Sequence, residues 1–150
     1  MKQNRSGINV LAAGAALGAL LLMACVSADE RYLPPAQQAG NVSYICGGIG
    51  LDESDAMKAA ASKHSLALTF TAHIGKRDAY TADVKVTIAG ADGKAVLDAT
   101  CDAPYFLVDL PAGKYKVTAV SGGVSKSQTV DIAAGGHKKV VFAWASTQQE

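Results

Sequence analysis

From Leu66 onward, apolar and polar residues alternate with period two. Leu66, Leu68, Phe70 and Ala72 share one side of a segment whose other side is Ala67, Thr69 and Thr71. Val84, Val86 and Ile88 alternate in the same way with Asp83, Lys85 and Thr87. This spacing predicts strands with one buried and one wet face. Further strands are predicted over 95–99, 105–110, 114–120, 124–132 and 138–144, separated by turn signals at Asp92-Gly93, Gly122-Gly123 and Gly135-Gly136. The sharpest punctuation is Leu110-Pro111-Ala112-Gly113, where Pro111 presets the turn and Gly113 permits a positive φ. Tyr115, Val117 and Ala119 leave that turn on one face, with Lys114, Lys116 and Thr118 on the other. Seven strands with turn residues between them predict a mainly β sandwich rather than a parallel α/β sheet. Outward Lys85, Lys114, Lys116 and Lys126 would discourage edge-to-edge pairing.

Before Leu66 the pattern changes. Ser43-Tyr44-Ile45-Cys46 predicts a short strand, which Gly47-Gly48-Ile49-Gly50 breaks. A short α-helix is then expected over 53–63, capped by Asp52, with Asp55 as the capping-box acid. Met57, Ala60, Ala61 and His64 would form its apolar face, and so many alanines suggest that it lies against the side or end of the sandwich. Residues 29–42, with Pro34-Pro35, Gln37-Gln38 and Gly40-Asn41, read as an extended linker. Asn41-Val42-Ser43 is formally a glycosylation sequon.

The N-terminus reads as an export signal. Lys2 and Arg5 precede fifteen uncharged apolar or glycine residues from Val10 to Ala24. That is shorter than the about 18 residues of a membrane span but suits a signal peptide. Val26-Ser27-Ala28 supplies small residues for cleavage after Ala28. Leu22-Met23-Ala24-Cys25 resembles a bacterial lipobox, so the alternative is lipidation of Cys25, with Val26 behind it resembling an outer-membrane sorting signal. The expected organisation is a signal peptide over 1–28, a linker over 29–42, a strand and helix packed on the sandwich over 43–65, the sandwich over 66–145 and a disordered tail over 146–150. The expected location is the periplasm or the medium, or else the outer membrane by way of a lipid on Cys25.

Charge narrows the partners. The chain carries 14 basic and 13 acidic residues. Loss of the leader would remove two bases and no acid, leaving a net charge of −1. No basic stripe suits nucleic acid. In an oxidising compartment Cys46 and Cys101 are expected to form one disulfide, with two buried thiols as the alternative.

Three segments together carry a family likeness: Val86-Thr-Ile-Ala-Gly-Ala-Asp-Gly-Lys94, Cys101-Asp-Ala-Pro-Tyr105 and Leu110-Pro-Ala-Gly-Lys-Tyr-Lys-Val117. Over about 82–144 the chain resembles the carboxypeptidase regulatory-like domain. The resemblance implies an Ig-like or prealbumin-like β-sandwich. The segment from Tyr44 to Phe70 resembles uncharacterised exported proteobacterial proteins built on that domain. No single function is implied, because such sandwiches serve as accessory, adhesive, carbohydrate-associated and structural modules.

Candidate chemistry is sparse. His64, His73 and His137 begin no H-x-x-E or H-E-x-x-H pattern, so no metal site is expected. No serine sits in G-x-S-x-G. Gly47-Gly48-Ile49-Gly50 lacks the Lys-Ser/Thr of a phosphate loop. The C-terminal Tyr-Arg-Gly-Ser of transthyretin-like hydroxyisourate hydrolases is replaced by Ala145-Ser-Thr-Gln-Gln-Glu150. No catalytic residue and no cofactor are therefore expected. Tyr80, Tyr105 and Trp144 are candidate stacking faces for a sugar. The polar stretch from His73 to Tyr80, expected to be a loop, gathers His73, Lys76, Arg77, Asp78 and Tyr80 and is the candidate partner-binding site. The sequence thus points to a non-enzymatic exported envelope protein, a protein-binding or structural accessory module whose partner is an unidentified envelope protein. The alternative is a carbohydrate-binding module for peptidoglycan or extracellular glycan. Membrane contact is expected only through a lipid on Cys25.

Overall fold

The computed structural model describes residues 28–145. The leader, Cys25 and the tail over 146–150 lie outside the described residues. Ten strands form two sheets. In the larger sheet, β1 (Gln37–Ala39), β2 (Val42–Gly47), β7 (Tyr105–Asp109), β3 (Leu66–Ile74) and β10 (Lys138–Ala145) lie in that order, and β4 (Arg77–Tyr80) pairs with the far end of β3. The smaller sheet runs β6 (Ala95–Cys101), β5 (Val84–Gly90), β8 (Gly113–Ser121), β9 (Val124–Ile132). All neighbours are antiparallel except β3 and β10, which are parallel. The mainly β sandwich with one helix is as the alternation predicts.

The core follows the period-two pattern. Leu66, Leu68, Phe70, Phe106 and Phe142 of the larger sheet face Val84, Val86, Ile88, Val117 and Ala119 of the smaller, all at most 1% exposed. Cys46 on β2 is bonded to Cys101 at the end of β6, so the disulfide ties one sheet to the other.

Several local features differ from expectation, each for a nonlocal reason. The helix α1 spans Leu51–Ala60, with a 3-10 turn at Ala61–Lys63. It lies on the outer face of the larger sheet, where Met57, Ala60 and Ala61 cover Ile45, Ala67 and Leu107. Asp52 does not cap it. Gly50, at φ 87°, turns the chain into the helix earlier than expected. Glu53, rather than Asp55, reaches back to accept the N–H groups of Gly48 at 2.7 Å and Ile49 at 3.2 Å. Part of the expected linker belongs to the domain. Ala28–Tyr32 is a 3-10 turn, anchored to the end of the helical segment by Glu30 and Lys63 at 2.8 Å, and β1 pairs with β2. The expected loop over His73–Tyr80 is the end of β3, a turn at Gly75-Lys76 and β4, so eight strands rather than seven follow Leu66.

Lys126 is not outward. It pairs with buried Ala119 and shares the core-side face of β9 with Val130 and Ile132, yet it is exposed. Two side chains bridge the open edges of β9 and β10. The Trp144 indole donates to the Val124 carbonyl at 2.9 Å, and Gln128 donates to the Val141 carbonyl at 3.4 Å.

The disulfide closes a separation of 55 residues. Loop-closure entropy for such a ring is worth about 4 kcal/mol. Replacing both Cys46 and Cys101 by Ala is expected to lower the unfolding free energy by about that amount. Urea titration monitored by Trp144 fluorescence measures it, and an unchanged midpoint would refute this role for the bond.

A candidate partner-binding end

Strand register gives the sandwich two distinct ends. At one, Gly47 lies opposite Tyr105 and Tyr105 opposite Thr69. At the other, Ser43 lies opposite Asp109, and Leu66 opposite Lys138. Strand β3 starts at the second end, passes Thr69 and continues to Ile74, so with β4 it carries the sheet past the end of β7. Helix α1 starts at this same hairpin end. The chain enters at the opposite end, where Glu30 meets Lys63.

The hairpin holds all five candidate residues. His73 and Asp78 are cross-strand partners, and their side chains are hydrogen-bonded through Nδ1 and a carboxylate oxygen. Ile74 and Arg77 form the last pair before the turn. Ile74 is 50% exposed and Tyr80 57%. Lys76 and Arg77 are exposed, and neither has a carboxylate partner among the described residues. The structure thus places these five residues on a strand pair and its turn rather than a loop, with His73, Asp78 and Tyr80 on the face towards Tyr105 and Arg77 on the other.

Tyr80 leads from the hairpin to the body. Its ring tilts against Tyr105, with centroids 5.3 Å apart. Tyr105 is buried, and its ring crosses the backbone of Gly48 so closely that a Cβ there would meet Cδ2 at 2.3 Å. With φ at +112° as well, position 48 admits only glycine comfortably. This contact explains the glycine-rich turn that sequence reading treated as simple strand-breaking. Burial raises the Tyr105 phenol, and the neighbouring Tyr80 hydroxyl adds to it, to a pKa of about 12; Ser54 pulls the other way.

The remaining candidates fall elsewhere. Trp144 is 4% exposed with its indole N–H spent on Val124, and Tyr105 is 7% exposed, so neither offers a face for sugar stacking. The three histidines separate. His64 and His137 sit at the opposite end from His73. There the His64 Nδ1 lies 3.0 Å from the Asp109 carboxylate, and the His137 Nδ1 donates to the His64 carbonyl at 2.9 Å. His64 and Asp109 border a polar cleft of about 340 Å³ beside the Pro111-Ala112 and Gly135-Gly136 turns. Sequence reading missed it because His64 and Asp109 are 45 positions apart and no local motif joins them. Among the described residues, no three His, Cys, Asp or Glu side chains gather closely enough to hold a metal, and no helix is long and apolar enough to cross a membrane.

Fold and site together define a disulfide-tied two-sheet sandwich with an exposed hairpin at one end. No family model and no curated protein matches the chain. The resemblance to the carboxypeptidase regulatory-like domain therefore rests on the segments quoted for it. Among solved structures the chain is similar to GBS52, the minor pilin of the Gram-positive pathogen Streptococcus agalactiae, at 13% identity and a TM-score of 0.46. The match covers 57% of this chain and 45% of that one, so the chain spans less than half of the pilin's length.

Tyr105 yields a pH prediction. Its phenol ionises near 10 when unfolded and at about 12 when folded, so the folded state holds the proton longer. The stability it contributes is complete below pH 10 and is lost as pH rises towards 12. Ultraviolet titration of the phenols should show a late step that Tyr105→Phe removes. The same variant should flatten the alkaline fall in urea midpoint; an unaltered titration curve would contradict this assignment.

Proposed function

We propose that this chain is a non-enzymatic exported protein of the cell envelope, an accessory module that binds another protein through the β3–β4 hairpin. The observation that carries this reading is the placement of the hairpin. It extends the sheet at the end opposite the one where the chain enters. Nine residues of β3 set that separation, roughly 30 Å at strand rise. A tether N-terminal to Ala28, including a lipid on Cys25, would leave the hairpin pointing away from its anchor.

The composition of the hairpin supports recognition. Ile74 and Arg77 on one face and Tyr80 on the other offer apolar surface, a guanidinium and an aromatic ring, and interface energy concentrates in aromatic and arginine side chains. The cross-strand bond between His73 and Asp78 holds this display in place, so little ordering cost attaches to binding. Export is supported by the leader pattern and by the cross-sheet disulfide, which suits an oxidising compartment.

Two measurements test the reading. Intact mass of the protein taken from membrane and soluble fractions should begin at Asp29 or carry acyl chains on Cys25. An unprocessed chain starting at Met1 would defeat the export assignment. Alanine at Lys76, Arg77 and Tyr80 together should leave the circular dichroism spectrum unchanged and reduce cross-linked capture of the envelope partner by about tenfold or more. Undiminished capture would remove the hairpin from the interface.

A further inference from the structure

Strand β10 forms one edge of the larger sheet and pairs there with β3 alone. The Lys138 N–H donates to the Ser65 carbonyl at 3.0 Å, so alternate residues of β10 from Lys138 turn their backbone groups towards β3. Those of Lys139, Val141 and Ala143 point out of the sheet. The Val141 carbonyl takes the exposed Gln128 amide at 3.4 Å, a long bond that a strand N–H would replace. The Trp144 indole bonds to Val124 from the core side and engages none of these groups. An open strand edge of this kind is a template for a further strand.

The larger sheet also stops short at this edge. On the core-side face of β9, Lys126 lies opposite Ala119 and Gln128 opposite Val117, both fully buried. Yet Lys126 and Gln128 are exposed and Val124 is 52% exposed, whereas Val130 and Ile132 on the same face are buried. A strand added to β10 would extend the larger sheet over this uncovered part of β9. Sheets pack about 10 Å apart, so its core-side residues would reach Val124, Lys126 and Gln128. Its other side chains would flank Val141, which is 57% exposed on the outer face.

Charge identifies the strand. Lys126, Lys138 and Lys139 of β9 and β10 are exposed and have no carboxylate partner among the described residues. The acid of these two strands, Asp131, lies 3.8 Å from Lys114. Lys126 repels a cationic strand, leaves a neutral one without compensation, and suits one with carboxylates on its core-side face. We propose that the open edge of β10 takes up an extended acidic segment of another protein as an added strand, with carboxylates at alternate positions facing Lys126 and β-branched side chains beside Val141. This surface is distinct from the hairpin, because β10 and β4 both pair with residues 71–73 of β3 and so lie on its opposite edges.

The test titrates the protein, expressed with its own leader and purified as the cell processes it, with a capped peptide alternating glutamate with valine over eight residues, the length of β10. Nuclear magnetic resonance should show saturable binding, with the Val141 and Ala143 amides gaining protection from hydrogen exchange. Lys126→Glu should weaken binding about tenfold or more and favour a peptide of lysine and valine instead. Val141→Pro removes an N–H that faces the open edge, so it should leave the circular dichroism spectrum unchanged and abolish binding. The glutamate peptide N-methylated at every residue should not bind the wild type. Alanine at Lys76, Arg77 and Tyr80 should leave the titration unchanged. Absence of saturable binding would overturn the proposal. So would binding that survives N-methylation or the Lys126 reversal, or that the hairpin substitutions abolish.

Discussion

Strand β7 is apolar on both faces, and much of the structure answers that constraint. Phe106 and Val108 enter the core between the sheets, while Tyr105 and Leu107 point to the outer side. Burying a large apolar side chain is worth about 1.5–3 kcal/mol, so an uncovered outer face would forfeit several such contributions. Helix α1 supplies the cover. Its alanines let it sit close, and Met57, fully buried, fills the space above Ala67 and Leu107. Placing the helix there in turn demands the sharp turn at Gly47–Gly50 and brings the 3-10 turn at Ala28–Tyr32 alongside it. The first part of the expected linker therefore lies in the covering layer, and its later part, β1, in the larger sheet.

The two sheets do not close into a barrel, and their open edges are guarded by side chains. Along β9 and β10, the Gln128 amide donates to the Val141 carbonyl and the Trp144 indole to the Val124 carbonyl, joining the two edge strands across the sandwich. Lys126 adds a charge on the core-side face of the same edge strand. Inward-pointing charge is a familiar means of keeping edges from pairing. The opposite edge of the larger sheet is only the three residues of β1. Ile49, Leu51, Ile74 and Tyr80 are exposed at the hairpin end, and Val124 and Val141 on the edge strands β9 and β10.

The two ends of the molecule differ in chemistry as well as position. One is a strand pair whose cations have no carboxylate partner among the described residues, joined to the body through Tyr80, Tyr105 and Gly48. The other is a set of turns threaded by hydrogen bonds among His64, Asp109, Ser65 and His137. Ser65 alone donates to Val108 O and accepts the Leu110 amide at 2.6 Å, locking the Leu110-Pro111 turn to the start of β3. The Tyr115 hydroxyl donates to the Pro111 carbonyl at 2.7 Å and holds the other side of that turn. Such bonding fixes the entry end.

The amino-acid sequence by itself determined the faces of β3, β5 and β8 and the turns at Asp92-Gly93, Pro111-Ala112, Gly122-Gly123 and Gly135-Gly136, and it favoured the pairing of Cys46 with Cys101. Period-two alternation is a local statement about burial, and glycine and proline restrict the backbone where they stand. It also marked His73, Lys76, Arg77, Asp78 and Tyr80 as a candidate cluster, because their polarity interrupts the alternation. Tertiary structure decided the rest. Which strands pair is a choice among many partners of similar apolar content, so neither the parallel match of β10 with β3 nor the short β1 could be read from local pattern. The polar hairpin looked like a loop because its stability comes from continuing the β3 ladder, not from a buried face of its own. Glu53 displaced Asp52 and Asp55 as the acid at the helix start because Gly50 altered the angle of entry. The contacts of Tyr105 with Tyr80 and Gly48, and of His64 with Asp109, join residues far apart along the chain, and only packing brings them together.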